Sequence, residues 1–204
     1  MAAILENFMF DKEKHRYYFG GTRVTGITEA LSNAGITPPI PTSARHNFVA
    51  AGRRGTIIHQ GCEIIDLKQE DNFDLDPELK GYFDAWRSFC YDYGYEVSLV
   101  EVPLGHDIFL FGGIPDSYGL CKKLGGLAVV ERKSTEFKDW MEFQVEGQKI
   151  LLEHHNMPVE HKVVVSIQKT GKYRVEKCAY SKSRALFLSA VAISNWKLSK
   201  ENIR

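Results

Sequence analysis

An apolar run, Leu127-Ala128-Val129-Val130, passes straight into three charged residues, Glu131-Arg132-Lys133. Side chains alternate along a strand, so Glu131 and Lys133 project from one face, which they share with Val129 and Leu127. Fourteen residues separate this triplet from Pro115-Asp116, which is placed where the preceding strand ends after the bend at Gly112-Gly113. Two carboxylates meeting on adjacent strand ends make a hard oxygen site suited to Mg²⁺ or Mn²⁺. A lysine two residues further on puts a positive charge beside such an ion. There it can orient a water or stabilise charge developing on a phosphate.

The acid-x-Lys element alone says little, because the chain contains it five times: Asp66/Lys68, Glu78/Lys80, Glu131/Lys133, Glu136/Lys138 and Glu160/Lys162. Only Glu131/Lys133 lies inside an apolar strand and follows a Pro-Asp that ends another strand. The plain alternative for this pair is a surface ion pair on an edge strand.

Around this unit the pattern predicts a helix–strand alternation. HRYYFGGTRVTGITEAL reads as a hairpin turning at Gly20-Gly21, followed by a short helix. After the proline-rich ITPPIPTS, Ser43 caps a helix to about Lys68, with Phe48, Ile57, Ile58, Cys62 and Ile65 as its apolar positions and a break near Gly52. Pro77 to Tyr93 is the clearest helix, its buried stripe running through Leu79, Tyr82, Phe83, Trp86, Phe89, Cys90 and Tyr93. Three strand-like stretches follow, YEVSLVEVPL, DIFLFGGIPDSYG and GLAVVERKS, the first two joined by Gly105-His106-Asp107. A helix then opens at Asp139, a hairpin turns at Thr170-Gly171, and Ser181 or Ser183 caps a last helix through Lys200. This order predicts an α/β (α+β) domain with a mixed sheet.

Bulk properties exclude some classes. The chain of 204 residues fits one domain, and 44% hydrophobic with 25% charged residues is ordinary for a globular protein. It has no apolar run long enough to span a membrane. Its first residues carry acids where a secretory leader would be basic, so it is expected to stay where it is made. Cys62, Cys90, Cys121 and Cys178 form no CxxC pair and read as reduced thiols, without the ligand spacing of a zinc or iron–sulfur site. Net charge is zero, but His161 to Arg204 holds ten Lys and Arg against two acids. That segment is either a polyanion contact or a solvated basic face.

The motifs together resemble the PD-(D/E)XK phosphodiesterase superfamily, within it the RecB-like nucleases and phage-type exonucleases. The resemblance runs from about His15 to Leu152. Arg54-Gly55-Thr56-Ile57-Ile58-His59 is similar to the family's G-T-x-x-H helix, and Val100-Glu101-Val102-Pro103 to the strand bearing an acid ahead of the core. Gly113-Ile114-Pro115-Asp116 and Val130-Glu131-Arg132-Lys133 match the two core motifs, and Trp140-x-x-x-Gln144 the helix after them. Where the family's helix carries Q-x-x-x-Y, this chain has Gln148 in the tyrosine position.

The resemblance implies a restriction-endonuclease-like core, with a mixed central sheet flanked by helices. It makes residues 1–204 one nuclease domain, with 1–42 an N-terminal hairpin–helix extension and 95–180 the core sheet. Asp116, Glu131, Lys133 and Gln144 would be catalytic. Asp116, Glu131, the Arg132 carbonyl, His59 and Glu101 would hold Mg²⁺ or Mn²⁺. Glu63, one turn beyond His59, is either its partner or a surface acid. Arg53, Arg54, Gln148, Lys169, Lys172 and Arg174 are the candidate nucleic-acid contacts. The activity implied is hydrolysis of DNA, by an exonuclease acting on linear ends or single strands in bacterial or phage recombination or repair. It would work in the cytoplasm, with or without a recombination partner protein. An endonuclease on the same core and a non-catalytic nucleic-acid-binding relative are the alternatives.

Overall fold

The computed structural model describes residues 7–39, 45–69 and 76–201. Three short antiparallel strands, β1 (Phe8–Asp11), β2 (Arg16–Phe19) and β3 (Thr22–Gly26), lead into α1 (Ile27–Asn33). The turn at Gly20-Gly21 falls as expected, and both glycines have positive φ, a conformation that side chains resist. Strand β1 has no counterpart in the sequence reading.

Helix α2 (Arg45–Asp66) runs unbroken through Gly52, so the expected break is absent. Ile58 and Cys62 are buried as expected, whereas Ile57 is exposed. The proposed Ser43 cap and the Phe48 side chain lie outside the described residues. A 3₁₀ turn (Pro77–Leu79) precedes α3 (Lys80–Tyr93). The α3 stripe is buried at Tyr82, Phe83, Trp86 and Phe89, and Gly94 stops the helix in a left-handed conformation.

The stretch DIFLFGGIPDSYG is two strands, not one. Its first part, β6 (Phe111–Gly113), pairs with β5 (Leu104–His106), a strand where a turn was expected; the turn lies at 107–110. β6 also runs parallel to β3, so β5 and β6 complete a five-stranded sheet ordered β1-β2-β3-β6-β5. The second part, β7 (Ser117–Cys121), belongs to the other sheet. Pro115 cannot donate to a ladder and marks the crossing between the sheets. At Gly112 and Gly113, Tyr17 and Ile27 approach within 2.4 Å of where a Cβ would stand, so only glycine lets the Tyr17 ring and α1 pack against β6.

The second sheet is ordered β10-β9-β8-β7-β4, from β4 (Tyr95–Val100), β7, β8 (Gly126–Lys133), β9 (His161–Ile167) and β10 (Tyr173–Lys177). It is antiparallel except where β8 runs beside β9. α4 (Trp140–His154) makes that crossover, and α5 (Ser183–Glu201) closes the chain. Ser183 is the first residue of α5, and its hydroxyl donates to Glu146. The fold is therefore the mixed sheet flanked by helices that was expected. β8 divides the core in two: Val129 packs with α1, α4 and α5, while Ala128 and Val130 pack with α2 and α3.

A bulge at Ser98 interrupts the β4–β7 register and presses the Glu96 carbonyl against Gly119, 2.0 Å from where a Cβ would sit. Backbone cannot yield as a side-chain tip can. Gly119→Ala is expected to cost about 1–3 kcal/mol of stability, measured by urea denaturation. An unchanged midpoint would show that this pairing has slack.

Candidate functional site

The face-switching of β8 places Glu131 and Lys133 on the α4 side and Arg132 on the other. Glu131 is buried, and each of its oxygens is held. Oε1 accepts from Gln144 Nε2 at 2.7 Å and pairs with Lys133 Nζ at 2.5 Å, while Oε2 accepts from Gln148. Gln144 and Gln148, one turn apart on α4, clamp the carboxylate from the same side. Gln148 was expected to meet nucleic acid. It is 1% exposed and its amide N–H is spent on Glu131.

Asp116, in the crossing between β6 and β7, is tied to β8 twice. Its Oδ2 accepts from the Arg132 backbone N–H at 2.8 Å, and its carbonyl accepts from Arg132 Nη2 at 2.8 Å. Glu101, expected within a strand, is not part of β4. It lies one residue past the strand at φ +49°, with its N–H on the Pro115 carbonyl. That left-handed conformation turns the carboxylate toward Arg132 Nη2, 3.2 Å away, and toward His59.

His59, on α2, completes the cluster. Its Nδ1 is 3.5 Å from both Glu101 Oε1 and Asp116 Oδ2. One atom from each of His59, Glu101 and Asp116 falls within 4.8 Å of the others, a grouping that could hold a metal ion. Two carboxylates and one imidazole fit a small divalent cation of Mg²⁺ or Mn²⁺ type. Glu131 stands outside this triple, but near enough to Asp116 for the two charges to interact.

Electrostatics reflect the crowding. The Asp116 charge, with hydrogen bonds to Asp116 and Glu101, raises His59 to about 10 against the opposing effect of burial. Burial alone would raise Asp116. The His59 charge and hydrogen bond, with Arg132 and Lys133, instead hold it below the ordinary carboxylate value. Glu131 is shifted upward by burial and by Asp116. An imidazolium thus sits where a metal cation would satisfy the same acids.

The least expected part is the Arg132 side chain. It is fully buried and pairs with Asp66 Oδ2 at 2.5 Å, at the end of α2, with Trp86 stacked 5.0 Å from its guanidinium carbon. Trp86 Nε1 donates to Asp66 at 2.7 Å. Asp66 appeared in the sequence only as one of five acid-x-Lys pairs. The available signal was Arg132 itself, a charge on the strand face of Ala128 and Val130 that needs a buried acid.

A cleft of about 520 Å³ opens over Asp116, Glu131 and Lys133. Lys14, Arg16 and Arg23 from the N-terminal hairpins also line it, none of them singled out from the sequence, with Arg23 paired to Glu29. Arg53 and Arg54 are exposed on α2, one to two turns before His59. Lys169, Lys172 and Arg174 are exposed on the β9–β10 hairpin and do not line this cleft. Glu63 makes no ion pair with His59 among the described residues. All four cysteines are free thiols.

No family model matches the chain, and no curated protein matches it. Among solved structures, an alkaline exonuclease (LHK-Exo) from Laribacter hongkongensis is similar at 13% identity and a TM-score of 0.49. The match covers 87% of this chain and 89% of that one. No helix among the described residues is long and apolar enough to cross a membrane.

The His59 shift has a measurable consequence without metal. Its folded-state value lies above the ordinary 6.5, so its stabilising effect is complete below about 6.5 and fades as pH climbs toward about 10. Stability should fall across that interval, and His59→Gln should remove this part of the pH dependence. Thermal midpoints measured from pH 6 to 10 test it, and identical slopes in both proteins would refute the assignment.

Proposed function

We propose that this chain is a metal-dependent nuclease that hydrolyses phosphodiester bonds in DNA, acting as an exonuclease in recombination or repair. The observation that carries the reading is the Lys133 ammonium on Glu131, beside the His59–Glu101–Asp116 cluster, at the floor of a cation-walled cleft. A buried acid paired with a half-buried lysine is a poor stabilising device. Next to a metal-ligating cluster, it has a chemical use. The motif resemblance adds the polarity of the reading, from Asp116 through Glu131 to Lys133.

Asp116, Glu101 and His59 would hold Mg²⁺ or Mn²⁺, with Glu131 and the Arg132 carbonyl as further ligands. The ion would supply Lewis-acid polarisation of the phosphate and a more acidic water. Lys133 orients the attacking water and offsets negative charge as the phosphorus–oxygen bond breaks and the leaving oxygen takes a proton. Gln144 and Gln148 keep Glu131 in one rotamer, so its oxygens do not have to be ordered during the reaction. Lys14 and Arg16 meet the strand in the cleft and neutralise its phosphates, whereas Arg23 is engaged by Glu29. Arg53 and Arg54 extend that contact along α2.

Lys133→Ala should bind metal nearly as well as the parent, because the ammonium is not a ligand. Its single-turnover cleavage rate should fall by a factor on the order of 10² to 10⁴. Asp116→Asn should lose metal affinity as well. If Lys133→Ala cleaves within about threefold of the parent, the β8 triplet is not catalytic.

Mg²⁺ or Mn²⁺ should support cleavage, while Ca²⁺ supports binding without turnover because its looser coordination positions the water poorly. Linear and circular DNA in the same assay separate the modes: cleavage of linear substrate alone means an exonuclease, and of both an endonuclease. Full activity after exhaustive EDTA treatment would end the metal-dependent reading.

A further inference from the structure

A second cleft, of about 530 Å³, lies at the carboxyl ends of β8 and β9 beside the catalytic strand. We propose that Ser166 and Arg174 form a subsite there for a backbone phosphate next to the one under attack. A single nucleic-acid strand would then run across β8, β9 and β10. The strand's direction from Lys133 rests on the nuclease reading; the subsite itself rests on sheet register and on one hydroxyl.

The register pairs Lys133 with Ser166, and Ser166 with Arg174. Paired residues on neighbouring strands share a face, so these three side chains form a row from the catalytic lysine to the sheet edge. Two strand spacings separate the ends of the row by about 9.5 Å. Within the row, Ser166 is 5% exposed and lines the cleft, yet its Oγ has no hydrogen-bond partner among the described residues. A buried hydroxyl left unpaired is unfavourable, and a ligand oxygen arriving in the cleft would relieve it.

Arg174, exposed on the edge strand, faces the same space with a guanidinium fork suited to a phosphate. Ser134 and Lys169 border the cleft and add a hydroxyl and a second cation. Glu136 and Glu176 border it too, so it is not a field of positive charge. Recognition would come from directed hydrogen bonds, Ser166 Oγ and the Arg174 fork donating to the non-bridging oxygens of one phosphodiester.

The Ser166 hydroxyl makes the test selective. If it served only the fold, Ser166→Ala would delete an unpaired polar atom and leave binding alone. As part of a subsite, Ser166→Ala keeps or raises the thermal midpoint and still weakens binding. The probe is a short fluorescein-labelled oligodeoxythymidylate, followed by anisotropy in Ca²⁺ over a range of salt concentrations.

Arg174→Ala should weaken binding about tenfold and reduce the salt slope by about 0.7, the value for one lost contact to a single strand. Ser166→Ala should weaken binding about three- to tenfold with little change in slope. An oligoribonucleotide should respond in the same way, since the contacts are to phosphate. Parent-like affinity in Ser166→Ala, an unchanged slope in Arg174→Ala, or no binding by the parent chain would each overturn the proposal. The expected shifts in a protein that cleaves no DNA would support the subsite and remove only the nuclease reading.

Discussion

A guanidinium with no solvent contact sits at the centre of this fold. Removing such a charge from water costs several kcal/mol unless its partners are good, and Arg132 collects its partners from three separate segments. Asp66 comes from the end of α2, Glu101 from the turn after β4, and the Asp116 carbonyl from the crossing between the two sheets. Satisfying Arg132 therefore requires those three segments to converge on the carboxyl end of β8. The same convergence delivers the Glu101 and Asp116 carboxylates to one point and brings α2 over them, which places His59. A structural demand on one strand face thus assembles the chemistry beside it.

The other face of β8 meets a different requirement. Glu131 is as buried as Arg132, but its partners come from near in sequence: Lys133 on its own strand, Gln144 and Gln148 on the next helix. This half of the site is a strand–helix unit that its own segment nearly specifies. The metal-type cluster of His59, Glu101 and Asp116 is assembled from distant segments, and its geometry depends on tertiary closure. The glycines of β6 belong to that closure, because Tyr17 and Ile27 lean into the space their missing side chains leave. Lys14 and Arg16 of the N-terminal hairpin then line the same cleft as Lys133.

Several expectations failed where local propensity was the guide. Gly105-His106-Asp107 reads as a turn and Gly52 as a helix break on local propensity, yet β5 pairs with β6 and α2 continues. For β5 a tertiary pairing outweighed the local preference; at Gly52, which is exposed with open space around it, the helix absorbs the cost of about 1 kcal/mol that one interior glycine carries. Gln148 was a candidate nucleic-acid contact; it is buried and donates to Glu131 instead. The basic C-terminal segment was visible as composition. Its division between Lys162, committed to Glu146, and the exposed Arg174 was not.

The sequence by itself determined the elements that periodicity governs: the α3 stripe, the alternation along β8, the hairpin at Thr170-Gly171, and the mixed sheet their order implies. It also singled out Asp116, Glu131 and Lys133, because charge within an apolar strand is visible in one dimension. Only the tertiary structure decided that Asp66 belongs to Arg132, that Glu101 leaves its strand in a left-handed turn, and that the N-terminal hairpins wall the cleft. Those facts are pairings between residues far apart in the chain. A buried charge announces in sequence that it needs a partner, but which partner it finds depends on how the chain closes in space.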